Sequence, residues 1–214
     1  MTIDYAKARE TMVEQQVRPW DVFDTRVLDA LVSLPRERFV AESHRALAYS
    51  DLPLPLGHGR HMFKPVLEGR ALQALTVQAD ENVLEIGTGS GYLTACFARL
   101  AREVVSLEIH ADLAEAASAR LQAEGVRNAR VLAADALAWD TDQRFDAICV
   151  GAAVSVLPAR FLQWLRPGGR LFAVRGHAPA MEAVLARADG AVESLFETEL
   201  EYLIGAEPPR TFSL

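Results

Sequence analysis

Three glycines and three carboxylates in this chain have the types and spacing to hold a small cationic ligand. The segment Val83-Leu-Glu85-Ile-Gly87-Thr-Gly89-Ser-Gly91-Tyr92 runs from an apolar strand through glycines into a helical pattern. Glycine lets the backbone take positive φ and approach a ligand closely. In an open α/β sheet, ligands bind at such strand ends. Glu108 ends the next apolar strand, where a carboxylate can accept hydrogen bonds from ribose hydroxyls. Asp135 ends the strand after that and suits an adenine ring. An adenosine site built on Glu85, Gly87, Gly89, Gly91, Glu108 and Asp135 also takes in Thr88, Tyr92, Ile109 and Ala136 beside them.

Spacing then selects the cofactor. A dinucleotide turn reads G-x-G-x-x-G, whereas the glycines here stand at 87, 89 and 91. No Gly-Lys-Ser/Thr follows, which argues against a phosphate-binding loop. Glu85, inside the strand before the turn, suits the cationic methionine end of S-adenosyl-L-methionine better than a phosphate. A nicotinamide oxidoreductase is the alternative that this pattern disfavours.

The elements that must position these groups change character near residue 80. Residues 1–79 read as a helical segment with a covering loop, and 80–214 as a Rossmann-like core, all within one domain, 1–214. Helices are expected over Ala6–Val17 and Thr25–Ser33, the second capped by Asp24 with Val27, Leu28, Leu31 and Val32 on its apolar face. Tyr5, Trp20 and Phe23 read as packing against the core. Pro53, Pro55, Gly57 and Gly59 break the chain before a helix from Pro65 to about Val77. Strands at 82–86, 103–107, 129–133, 145–150 and 170–174 then alternate with helices at 92–100 and 111–124 and a short helix from Pro158. This is a mostly parallel sheet with helices on both faces. A turn falls at Pro167-Gly-Gly169. Asp189-Gly190 reads as a hairpin turn between Met181–Ala188 and Ala191–Thr198, with a helix in the first segment left open.

Composition narrows the setting. Half the residues are apolar, 24% are charged, and the net charge is -7. No basic cluster stands out, so a nucleic-acid partner is not expected. No apolar run approaches the roughly 20 residues of a membrane span, and residues 1–20 lack a signal-peptide core. Cys96 and Cys149 sit in apolar contexts and read as buried thiols rather than a disulfide. No metal site is expected, because no Cys/His cluster has ligand spacing. A cytoplasmic protein is the expectation; the oligomeric state is not legible.

Val83 to Tyr92, Glu108, Asp135 and Pro167-Gly-Gly-Arg170 resemble the class I methyltransferases in general, and Leu34-Pro-Arg-Glu-Arg-Phe39, Ala48-Tyr-Ser-Asp51, Pro53-Leu-Pro-Leu-Gly57-His-Gly59 and Gly151-Ala-Ala153 resemble, more specifically, the protein-L-isoaspartate O-methyltransferases. The likeness spans about residues 24–175. It implies a seven-stranded, doubly wound Rossmann-like sheet with an antiparallel C-terminal strand. It also implies methyl esterification of isoaspartyl carboxylates in damaged proteins. Two departures stand out. Where the family carries Thr-Ile-Ser, this chain has His61, Met62 and Phe63, so Phe63 occupies the position of the family's active-site serine and no catalytic residue is assigned. Tyr202-Leu-Ile-Gly205 replaces a Val-Pro-Leu pattern. Met62 and Phe63 are expected to pack on the cofactor, and His58, His61 and Lys64 are candidates to orient a protein or small carboxylate substrate. A carboxylate is already ionised at neutral pH and needs no base to attack the sulfonium methyl. Alignment and exclusion of water are then the protein's main contributions. The alternative is a non-catalytic module that senses S-adenosylmethionine or S-adenosylhomocysteine, or binds a partner.

Overall fold

The structure, a computed structural model, describes residues 3–209, so the expected bounds 1–214 extend outside the described residues at both ends. Helix α1 (Tyr5–Met12) continues into a wider π turn over Val13–Val17 and a 3-10 turn over Arg18–Trp20, where one uniform helix was expected. Asp4 caps α1 through Lys7 N–H. Asp24 caps α2 (Thr25–Ser33) through Arg26 N–H at 2.9 Å, as its type and position predict. Val27, Ala30 and Leu31 face inward from α2, whereas Val32 is exposed. Trp20 and Phe23 also point outward, contrary to expectation. The left-handed turn at Asp21 and the bond from Phe23 N–H to the Gln73 side chain fix the backbone there and leave both rings outside.

The Pro-rich stretch forms a hairpin, β1 (Leu54–Gly57) against β2 (Arg60–Met62), turning through Gly57, His58 and Gly59 at positive φ. Helix α3 (Pro65–Leu75) starts on its proline and ends where Thr76 turns left-handed. The alternating core follows: β3 (Asn82–Ile86), α4 (Tyr92–Leu100), β4 (Glu103–Glu108), α5 (Ala111–Ala123), β5 (Ala129–Ala133), β6 (Phe145–Val154), α6 (Ala159–Gln163) and β7 (Leu165–His177). The terminal pair is β8 (Ala180–Arg187) and β9 (Val192–Glu197), so the segment left open as strand or helix is a strand. The glycines at 168 and 169 bend the start of β7 rather than ending a separate element, and the register against β6 shifts there.

Strands run in the order β5-β4-β3-β6-β7-β8-β9. All neighbours from β5 to β7 pair in parallel, and β8 alone runs against both its neighbours. Alternation along the strands divides the core. Val83 joins the cluster under α2, α3 and α4, while Leu84 and Ile86 join the cluster with Phe161 and Trp164 on the other face. Glu85 therefore points toward the α4 face, and its parallel partner Ser106 on β4 points the same way. Cys96 and Cys149 are buried free thiols. Among the described residues no helix is long and apolar enough to cross a membrane.

Candidate functional site

The strand order reverses between β3 and β6, and their carboxyl ends part above Gly87 and Gly151. A side chain at position 151 would put Cβ 2.9 Å from Gly87 O and 3.0 Å from Ile86 O, so glycine is required for the floor to close. Past Gly87 the turn is pinned to β4, because Gly87 N–H donates to Leu107 O at 2.7 Å. Gly89 lies under the hairpin: a Cβ there would sit 2.9 Å from Leu56 Cδ1.

Glu85 is fully buried beneath this turn. Its Oε2 accepts from Ser106 Oγ at 2.6 Å and from Thr94 Oγ1, and Ser106 Oγ lies 2.5 Å from Thr88 Oγ1. Its Oε1 is buried with no hydrogen-bond partner among the described residues. Burial pushes the Glu85 carboxyl up to about 8, against the hydroxyls of Ser106 and Thr94, which favour the ionised form. Once ionised, such a group can receive a cation that supplies the missing partner.

Glu108 is held at the end of β4 by two backbone donors, Gly89 N–H at 2.8 Å and His110 N–H at 3.1 Å. Each carboxylate oxygen keeps a lone pair for a further donor. Asp135, exposed just beyond β5, accepts from Leu137 N–H at 2.8 Å, and the buried Ala136 follows it.

A cover lies over these groups. Arg36, fully buried, donates to both oxygens of Glu68 (3.0 and 3.1 Å), to Ala48 O and to Phe63 O (2.6 Å each). The exit of β2 is thereby fixed, and Met62 and Phe63 are buried against the cavity. After β9 the chain returns to the carboxyl end of β6: Ala153 N–H donates to Glu201 O at 2.8 Å and Leu203 N–H to Ala153 O at 2.7 Å. Strand β2 grips this return segment through Arg60, which donates to Tyr202 O at 2.8 Å, and through His61, whose Nδ1 is 2.6 Å from Glu201 Oε1.

Together these surfaces enclose a cavity of about 630 Å³, within the usual range for small-molecule sites. Glu85, Gly87, Thr88, Gly89, Glu108, Ile109, Asp135, Ala136, Met62, Phe63, His61 and Lys64 all line it. Three expected residues do not. Tyr92 points into the core, edge-on to Phe39 at 5.5 Å, because the first turn of α4 faces the N-terminal segment. Gly91 serves the turn into α4. His58 turns aside at the hairpin tip, stacked on His110 at 4.0 Å and 2.9 Å from Asp112 Oδ2.

The family model described as Protein-L-isoaspartate(D-aspartate) O-methyltransferase matches residues 7–203. The chain belongs to this family. A relative named Protein-L-isoaspartate O-methyltransferase 1, from Syntrophobacter fumaroxidans, is 41% identical over 86% of this chain and 86% of its own. A Brucella anthropi relative of the same family name is 36% identical over 92% and 91%. The fold matches, with a TM-score of 0.81 at 20% identity, the crystal structure of a Plasmodium falciparum protein assigned to this family, in complex with S-adenosyl-L-homocysteine. The match covers 91% of this chain and 97% of that one.

Within this family framework, sequence reading missed the return segment, whose Glu199, Leu200, Glu201, Tyr202 and Leu203 line the cavity, and Ser106 with Thr94 around Glu85. The strand register held a usable signal for Ser106, a lone hydroxyl in the apolar run of β4 opposite Glu85. Nothing local announces the return segment.

Proposed function

We propose that the protein transfers a methyl group from S-adenosyl-L-methionine to a carboxylate, in the first place the isoaspartyl carboxylate of damaged proteins, as the names of its relatives state for them. The observation that carries the cofactor half is the unpartnered Glu85 Oε1 at the floor of a cavity that also presents Glu108 and Asp135. In this reading Glu85 receives the α-ammonium of the methionine end. Glu108 takes the ribose hydroxyls, and Asp135 with Ala136 borders the adenine. Ile109, Met62 and Phe63 supply apolar cover. The acceptor carboxylate attacks the methyl carbon in line, the S–C bond breaks, and neutral S-adenosylhomocysteine leaves. Charge is neutralised in this step, so the protein's work is alignment of the two reactants. A single domain in a cytoplasmic setting belongs to the same reading.

The experiment is calorimetric titration with S-adenosylmethionine followed, in the same sample, by methyl transfer to an isoaspartyl peptide. Binding with turnover is expected. Binding without turnover would overturn the acceptor, and absence of binding would overturn the site.

Glu85 adds a pH signature. The free carboxyl is mostly protonated at neutral pH, and a bound cation favours its ionised form, so binding at pH 7 should release a proton. Affinity should therefore rise several-fold between about pH 6 and 8. In Glu85→Gln the only slope left should be that of the cofactor's own amino group, which titrates near 8. Equal slopes in the two proteins would remove Glu85 from this role.

A further inference from the structure

An acceptor carboxylate entering this cavity meets a largely apolar wall on which carboxylates outnumber basic side chains. Glu85, Glu108, Asp135, Glu199 and Glu201 line it, and Glu68 is the one carboxylate there with an arginine bound to both oxygens. The basic side chains among the described lining residues are Arg60, His61, Lys64 and His110. His110 follows Glu108 on the side given above to the ribose, stacked on His58. Arg60 already holds Tyr202 O. The basic side chains flanking Phe63, whose ring offers no hydrogen bond, are His61 and Lys64.

Of these two, His61 is the one held in place. Its Nδ1 lies 2.6 Å from Glu201 Oε1. Glu201 is itself tied to the sheet by its backbone carbonyl, which accepts from Ala153 N–H at 2.8 Å. With Nδ1 donating to Glu201, a protonated ring has its second N–H, on Nε2, still to give; a neutral ring would present a lone pair there instead. Lys64 has no hydrogen-bond or ion-pair partner for its ammonium among the described residues and adds attraction without direction.

Building on the carboxylate-methylating reading, we propose that His61, oriented by Glu201, donates from Nε2 of its doubly protonated ring to the acceptor carboxylate and places it for methyl transfer. This is a positioning role that takes over in a chain with no hydroxyl at residues 61 or 63. The charged and titratable groups lining the cavity with His61 are Arg60 and Lys64 from its own strand and exit, Glu199 and Glu201 from the return segment, Glu68 from α3, and Glu85, Glu108, His110 and Asp135 at the strand ends. Glu201 is the one that touches it.

The test is steady-state methylation of an isoaspartyl peptide between pH 5.5 and 8.5, with S-adenosylmethionine saturating so that the titration of Glu85 does not contribute. In the wild type, kcat/KM should fall as pH rises through the range in which imidazoles lose their proton. His61→Gln should raise KM by about 10- to 100-fold, the worth of a charge-assisted hydrogen bond. It should leave kcat less affected and abolish that falling limb. Glu201→Gln, which removes the carboxylate that orients the ring, should also raise KM. Cofactor affinity measured by calorimetry should be unchanged in both variants. An unaltered KM and pH profile in His61→Gln would overturn the proposal. So would a loss of cofactor affinity with the limb retained, which would make His61 a tether of the hairpin only. A wild type that binds S-adenosylmethionine and turns over no peptide would instead overturn the carboxylate reading on which the proposal rests.

Discussion

Replacing Glu68 with alanine is expected to lower the unfolding free energy by about 3–5 kcal/mol. For a chain of this length that is a fall in melting temperature of roughly 6–20 °C. Arg36 and Glu68 are both essentially inaccessible to water, and the guanidinium makes two of its four hydrogen bonds to the carboxylate. Without Glu68, Arg36 keeps a full charge in an apolar interior, with two backbone carbonyls and the Tyr92 ring at 5.4 Å for company. An arginine cannot shed its proton to escape this. Arg36→Met exposes the asymmetry of the pair. Burial already pushes the Glu68 carboxyl up, and without Arg36 it can take a proton and become neutral. A carboxyl whose folded pKa lies above its unfolded one stabilises at low pH and loses that contribution as pH rises. Arg36→Met should therefore melt closer to wild type at pH 5 than at pH 8, whereas Glu68→Ala should not recover in acid. A loss below about 1 kcal/mol in Glu68→Ala would mean that water reaches the pair. The consequence reaches the site, because Arg36 also holds Phe63 O at the exit of the covering hairpin.

How far the sequence disclosed this arrangement follows from how local each determinant is. The strand–glycine–helix unit at 82–100 is written in consecutive residues, so its geometry and the placement of Glu85, Gly87 and Gly89 could be read directly, and Glu108 from the end of the next apolar run. Asp24 was legible as a cap for the same reason. Tyr92 was expected beside the cofactor but its side chain does not line the cavity, because adjacency to a glycine turn does not say which face of the following helix a residue occupies. The helix packs on Phe39, more than fifty positions earlier in the chain, and that contact decides. His58 failed similarly: the φ of +53° at the hairpin tip directs its ring toward Asp112. The pairs Arg36–Glu68 and His61–Glu201 join residues distant in sequence, and no spacing rule connects them. Residues 199–207 carry no periodicity of helix or strand, since their backbone bonds go to one edge at Ala153 and Ser155.

Glu108→Ala should weaken binding of S-adenosylmethionine by about 100-fold, and that of S-adenosylhomocysteine equally. Two ribose hydroxyls donating to one carboxylate are each worth about 1.5–3 kcal/mol as hydrogen bonds to a charged group. Part of this is offset by water that solvates the empty site, which brings the net loss nearer 2.7 kcal/mol, or two decades of affinity. Glu108 is preorganised for the task, because Gly89 N–H and His110 N–H fix both oxygens before any ligand arrives and little ordering remains to be done on binding. The same two bonds mean that alanine also frees the glycine turn, so part of the effect acts through Gly89. Glu108→Gln separates the two contributions. It keeps the size of the side chain and one acceptor for Gly89 or His110, but sets an amide N–H2 against the other backbone donor. Its loss should approach that of alanine if the negative charge matters and fall well short of it if only the turn does. Comparing the two ligands locates the effect. In the proposed site Glu85 faces the methionine end, whose charge changes on methyl loss, whereas the ribose is common to substrate and product. Glu108 variants should therefore leave the ratio of the two affinities unchanged. Calorimetric titration of each variant with both ligands reads this directly. A change in affinity of less than about threefold, or a changed ratio, would take the ribose away from Glu108.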